Sequence, residues 1–137
     1  IGQWVRSEGF AFGWHNHDFE FVTLPDGKTP HEMIFKGAPL LDWEMDIAWV
    51  IRGGADPIKL IKKYAGNITA AHIKDIAPKG KNADEDGWAD VGHGTVDWKP
   101  IMAALKKTRV RHFVLEHDKP SNTKRFAERS FVAASKL

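Results

Sequence analysis

Four short apolar runs, FAFGWHNHDFE, LLDWEMD, ITAAH and HFVLE, each close on a polar side chain, with helix-patterned stretches between them. The first three closing residues, Glu20, Asp46 and His72, stand 26 positions apart, and Glu116 follows 44 positions later. One strand, one helix and two turns occupy about 25–30 residues of a βα repeat. Equal spacing therefore puts these groups at equivalent places in successive repeats, at the carboxyl ends of parallel strands. The fold class this dictates is α/β, of the (β/α) TIM-barrel type, in which that rim carries the active site. Two Glu, one Asp and one His converging there form an oxygen/nitrogen set suited to a divalent cation.

The rest of the chain punctuates this pattern as one domain, residues 1–137, with no linker. Residues 1–8 read as the end of a helix of an earlier unit, closed by Gly9. FAFGW (10–14) lacks polar alternation and reads as a strand buried on both faces of a parallel sheet. A loop with Asp-Gly and two prolines (24–30) leads to a short helix near 30–36. LLDWEMD (40–46) is the second strand. In GGADP (53–57) the glycines stop the chain and Asp56 with Pro57 restart it as N-cap and first helical residue. The helix 57–64 is expected to bury Ile58, Leu60, Ile61 and Tyr64, and to end at Gly66. ITAAHI (68–73) is the third strand, and 77–90 reads as a polar loop free to move. VDWKPIMAALKK (96–107) is an amphipathic helix capped by Asp97. RHFVLE (111–116) is the fourth strand, and 121–136 the closing helix.

Composition narrows the function classes. The 137 residues are 42% hydrophobic, enough for one core. A net charge of +2 supplies no clustered basic face of the kind phosphate backbones require, so nucleic acid is not an expected partner. The absence of cysteine excludes disulfides, zinc–thiolate sites and thiol nucleophiles. No apolar run approaches the roughly 18–20 residues of a membrane span, and no signal-peptide pattern opens the sequence, which begins at Ile1. A cytoplasmic protein with no membrane partner is the expectation.

Each polar candidate has an ordinary reading as well. Glu20 alone could be a solvated strand-end carboxylate, and His72 alone a hydrogen-bonded core histidine. Asp46 and Glu116 sit in apolar surroundings, where a carboxylate is costly unless paired or bound to metal. The joint placement on four consecutive strand ends favours a site. His15 and His17 alternate across a strand end, so one of them faces the mouth; His17 is the candidate for substrate contact. Lys74 shares the inward parity of His72 and could meet an anionic or hydroxyl group, or be merely a solvated lysine. Trp14, Trp43 and Trp49 lie near strand ends, where an indole can stack on a sugar C–H face. The loop VGHGTVDW, with His93, could bring backbone N–H groups to a ligand.

Taken together, WHNHDFEF, the E-x-D of WEMDIAWV, GGADP, HIKD, VGHGTVDW and VLEHD resemble the C-terminal half of the sugar phosphate isomerase/epimerase family of xylose-isomerase-like TIM barrels, from about Gly9 to Leu137. The resemblance implies about four C-terminal βα units of an eight-unit barrel. It implies one divalent metal ion (Mn, Mg, Co or Zn) on Glu20, Asp46, His72 and Glu116, with Glu20 and Glu116 as acid and base across a substrate carbon. His17, Lys74, Trp49 and His93 are the candidate substrate contacts. Trp49 stands where ketose epimerases of the family carry a histidine, three residues past the aspartate, which leaves the substrate open.

The expected activity is metal-dependent isomerisation or epimerisation of a sugar, sugar phosphate or polyol by proton transfer next to a carbonyl. A lyase or dehydratase acting on keto-sugars or inositol derivatives is the nearest alternative. An endonuclease IV-like DNA-repair nuclease would need more ligands and a basic groove, and a catalytically silent fragment is the third reading. Four strands leave two open sheet edges, so the missing N-terminal half or self-association is the expected partner, beside the small-molecule substrate.

Overall fold

In a computed structural model describing residues 1–137, the chain opens with helix α1 (Gly2–Ser7) and strand β1 (Gly13–His15), followed by a 3-10 turn at Asp18–Phe21. Helix α2 (Pro30–Gly37), strand β2 (Asp42–Asp46), helices α3 (Ile47–Arg52) and α4 (Pro57–Lys63), and strand β3 (Ile68–Ile73) come next. A small hairpin of β4 (Asp75–Ile76) and β5 (Trp88–Ala89) precedes helix α5 (Trp98–Leu105), strand β6 (His112–Leu115) and helix α6 (Thr123–Ala134). Strands β1, β2, β3 and β6 form one sheet in that order, and every pairing in it is parallel. No helix is long and apolar enough to cross a membrane.

Local chemistry starts the helices where the sequence pattern places them. Thr29 caps α2 through Glu32 N at 3.2 Å, and Pro30 occupies the first helical position. Asp56 accepts from Ile58 N (2.9 Å) and Lys59 N (3.1 Å) at the head of α4. Asn122 does the same for α6 through Arg125 N. Asp97 stands at the N-cap of α5, but its side chain makes no capping bond.

Alternation divides each strand between two faces. On β2 and β3, Trp43, Met45, Ala71 and Ile73 turn to the helices and join Ile47, Val50, Ile61, Trp98, Ile101 and Leu105 in the core. Asp42, Glu44, Asp46, His72 and Lys74 take the other parity, so the opposite face is polar. In a closed barrel that face is the interior.

Three expectations are corrected, and one helix was not foreseen. The run 10–14 is not a buried strand: β1 covers only Gly13–His15, it is an edge, and Phe10 is 68% exposed. It pairs with β2 on one side and with nothing on the other; Phe12 packs against the core while Phe10 and Trp14 stay exposed. The stretch 77–90 is not an open loop, because the β4–β5 hairpin closes it and buries Trp88. Of the four residues expected to be buried on α4, Ile61 alone is; Ile58, Leu60 and Tyr64 are half-buried against the core. The short, six-residue helix α3 had no separate sequence signal, since DIAWVI continues the apolar run of β2.

One core feature makes stability depend on pH. His31 is buried among Trp43, Phe35, Tyr64 and Phe21, with ring centroids 4.2, 4.7, 4.9 and 5.2 Å away, and neither ring nitrogen has a hydrogen-bond partner. Burial, with the nearby Lys63 charge, lowers its pKa to about 4. Between that value and the ordinary 6.5 the unfolded chain holds a proton that the folded chain refuses. The contribution is complete above pH 6.5 and is lost as pH falls toward 4, by about 3 kcal/mol at 1.36 kcal/mol per unit. Thermal melting should therefore shift downward from pH 7 to pH 5. His31→Phe should flatten that slope; an unchanged slope would assign the effect to other groups.

Candidate functional site

The parallel register stacks the strand ends. His15 pairs with Glu44, and Asp46 with His72, which in turn pairs with Val114, so Glu116 lies one step beyond the end of β6. One donor atom from each of His15, Asp46, His72 and Glu116 lies within 4.8 Å of the others. The four come from the ends of all four strands of the sheet.

Asn16 fixes β1 against β2 at this point. Its Oδ1 accepts from Asp46 N and from Trp43 Nε1, both at 2.9 Å, and its Nδ2 donates to Asp46 O at 3.2 Å. Fully buried, it spends both polar atoms of its amide on β2. The clamp brings the His15 ring to 4.4 Å from the His72 ring, centroid to centroid.

Asp46 closes β2 and caps α3, its Oδ1 accepting from Trp49 N at 2.8 Å. Its Oδ2 is buried with no hydrogen-bond partner. Burial pushes its pKa up to about 6, against the opposing pull of the Trp49 N–H, Lys74 and His72. His72 Nδ1 lies 2.6 Å from Glu116 Oε2 and 3.9 Å from Asp46 Oδ2, while Nε2 lies 3.2 Å from Glu44 Oε1. Burial raises the Glu116 pKa, but the His72 hydrogen bond and the Lys74 and His72 charges outweigh it and leave the group below its ordinary value. Burial first, then the neighbouring His72 and His17, lowers the pKa of His15, whose buried Nδ1 has no partner.

Two donors without partners, one nitrogen and one oxygen, within a group of two imidazoles and two carboxylates, fit a divalent cation. Glu20 is not in that group. It lies five residues past β1 in the 3-10 turn, where its Oε1 accepts from Trp14 Nε1 at 3.0 Å and its Oε2 from His17 N. Bound to its own turn and buried there, it is replaced at the strand end by His15.

The remaining candidates divide. Lys74 is fully buried beside the group, its Nζ 3.6 Å from Glu116 Oε2, and it is not a solvated lysine. Trp49 borders it, its ring 4.9 Å from Lys74 Nζ and 4.7 Å from the Trp88 ring. His17 is exposed at the rim, 5.0 Å from His15 and 5.4 Å from Trp49 by ring centroids. His93 points elsewhere, into a shallow hollow with Glu128, Arg129 and Lys136. Two amides of its loop are already used: Gly92 N (2.9 Å) and Val96 N (3.1 Å) donate to the buried Asp75 carboxylate, as does Trp98 Nε1. A Cβ on Gly94 would fall 2.1 Å from Asp75 Oδ1, so only glycine permits that approach.

Sequence reasoning preferred His17 to His15 and singled out neither Asn16 nor Glu44. The available signal was positional: WHN ends the apolar run, and the polar DFE that follows is already a turn.

No protein-family model matches the chain. A curated inosose dehydratase from Clostridium botulinum is 24% identical over 132 residues, covering 84% of this chain and 42% of its own length. Two crystal structures of sugar phosphate isomerase/epimerase proteins from Parabacteroides distasonis superpose with TM-scores of 0.74 and 0.72 at 20% and 22% identity, over 98% of this chain and 46% and 48% of theirs. A probable 3-DHS dehydratase from Bacillus anthracis, involved in petrobactin synthesis, gives 0.71 at 16% identity over 98% of this chain and 52% of that one. The chain thus carries the fold of these barrels and spans about half the length of the proteins it matches.

The Asn16 clamp is open to direct measurement. Asn16→Ala leaves the buried Trp43 Nε1 and two Asp46 backbone groups without their partner, at about 1–3 kcal/mol for each unsatisfied group. Denaturant unfolding should show a loss of about 3 kcal/mol or more. An unchanged midpoint would mean that Asn16 does not hold β1 to β2.

Proposed function

We propose that this chain supplies the metal-binding half of an enzyme that removes a proton from a carbon next to a carbonyl in a sugar-like polyol. The observation that carries the reading is the convergence of His15, Asp46, His72 and Glu116, with His15 Nδ1 and Asp46 Oδ2 buried and without a hydrogen-bond partner. These four residues would hold one divalent ion. When bound, it supplies Lewis-acid polarisation of adjacent substrate oxygens and so acidifies the neighbouring C–H.

The chain's own groups do the rest. Glu116, with its side chain 34% exposed and its pKa lowered, is ionised at neutral pH and faces the open side of the sheet. It takes the proton from carbon while the C–H electron pair moves toward the carbonyl oxygen. Trp49 and His17 give the rim an aromatic wall for the C–H face of a ring. Return of the proton gives isomerisation or epimerisation; expulsion of a hydroxyl at the next carbon, as water, gives dehydration. The inosose dehydratase and 3-DHS dehydratase among the similar proteins favour the second outcome.

A working site needs the other side of the barrel. Strands β1 and β6 each have one free edge, and the matched structures are about twice as long. Four further βα units would pair both edges and cover the polar face.

Two measurements test the reading. By elemental analysis after dialysis against Mn²⁺ or Zn²⁺, the chain should retain about one equivalent. His15→Gln, Asp46→Asn and His72→Gln should each weaken binding by more than about tenfold, while Glu20→Gln leaves it intact. Retention by the first three together with loss in the fourth would reverse the assignment. In the completed barrel, NMR in D₂O with ketoses and inosose-like polyols should show exchange at a substrate carbon, lost in Glu116→Gln. Turnover without exchange at any carbon would indicate hydride transfer or hydrolysis instead.

A further inference from the structure

Lys74 is entirely buried, an unusual position for an ammonium group, which ordinarily reaches water through its flexible stem. Its Nζ donates to Asp118 Oδ1 at 2.6 Å and lies 3.6 Å from Glu116 Oε2 and 3.8 Å from Asp46 Oδ2. Below and beside it are the faces of Trp88 and Trp49, with ring centroids 4.3 and 4.9 Å away. Three carboxylates around one compact cation is how a protein holds a metal ion, and two of the three, Asp46 and Glu116, also belong to the four-donor group. In two-metal sites, ions about 3.5–4 Å apart stabilise the attacking and leaving oxygens together. Here one of the two positions that such a pair would take is filled by a side chain.

We infer that the Lys74 ammonium occupies the place of a second cation and thereby limits the centre to a single metal ion. The inference rests on the metal-binding reading above. Asp46 Oδ2 is buried and unpartnered by hydrogen bonds, so its charge is balanced by whatever cations stand near it, and Lys74 is one that cannot leave. Without Lys74, three carboxylates, the fully buried Asp46 and the partly exposed Glu116 and Asp118, would face one another beside two indoles with no cation between them. Such a group either protonates or captures a cation. The consequence for chemistry is a one-ion centre suited to proton transfer, closed to in-line displacement between two ions.

The test is stoichiometry and magnetic coupling of Mn²⁺ on the 137-residue chain, by elemental analysis and electron paramagnetic resonance. Wild type should bind one ion with an uncoupled spectrum, even at millimolar Mn²⁺. Lys74→Met, which keeps the length of the stem, should bind two with the spectrum of a coupled pair; Lys74→Met/Asp118→Asn should return to one. Lys74→Gln serves if the methionine variant does not fold. A coupled pair in wild type, or one ion in every Lys74 variant, overturns the inference while leaving the metal reading intact. No ion in wild type or variants overturns both.

Discussion

The buried carboxylate of Asp46 is the constraint around which the rest is arranged. It ends β2, it begins α3, and each role uses a different part of it. The backbone belongs to the sheet and to Asn16, Oδ1 belongs to the helix, and Oδ2 belongs to neither. A desolvated oxygen without a hydrogen bond costs free energy that local structure does not return. The neighbours compensate at longer range: Lys74 at 3.8 Å and His72 at 3.9 Å are both potential cations. Folding thus sets up an electrostatic demand at one point of the sheet, and the side chains on the adjacent strands meet it only in part.

The sheet itself explains why that point is accessible. Its helix-covered face has a continuous apolar core, whereas the face bearing Asp42, Glu44, Asp46, His72 and Lys74 has no layer of its own. Interiors of closed eight-stranded barrels are packed with side chains from all strands. With four strands, Glu44 and Val114 remain open to solvent that a closed barrel would displace. The edge exposures of Trp14, Phe113 and Val114 have the same origin. Polarity within and apolarity at the edges are two signs of one geometry.

The fold was legible because βα repeats are periodic at two scales, and both scales survive in the sequence. Caps at Asp56 and Pro57, the strand at ITAAHI and the order of elements all follow from short-range rules. What failed were features set by absent or distant partners. FAFGW reads as a buried strand because its composition is that of a central one, but only His15 and its two predecessors find a partner. Residues 77–90 read as loop because the β4–β5 pairing is two residues long and leaves almost no alternation to detect. Equal spacing pointed to Glu20, whereas the donor group gathered at the strand ends contains His15. Spacing counts residues, whereas a turn such as 18–21 can absorb several without advancing along the strand. Asp46, His72 and Glu116 lie at or next to strand ends, where residue count and position along the strand agree.

The glycine loop after the hairpin has a quieter consequence. Two of its amides, Gly92 N and Val96 N, donate to Asp75, a residue of the same chain. Loops of this kind often take shape only when an anion arrives, and the entropy of ordering is then subtracted from affinity. Here residues 91–96 are held by an internal counter-charge from the moment the chain folds. That stretch of chain is preorganised: its shape is set by folding itself and owes nothing to a later ligand.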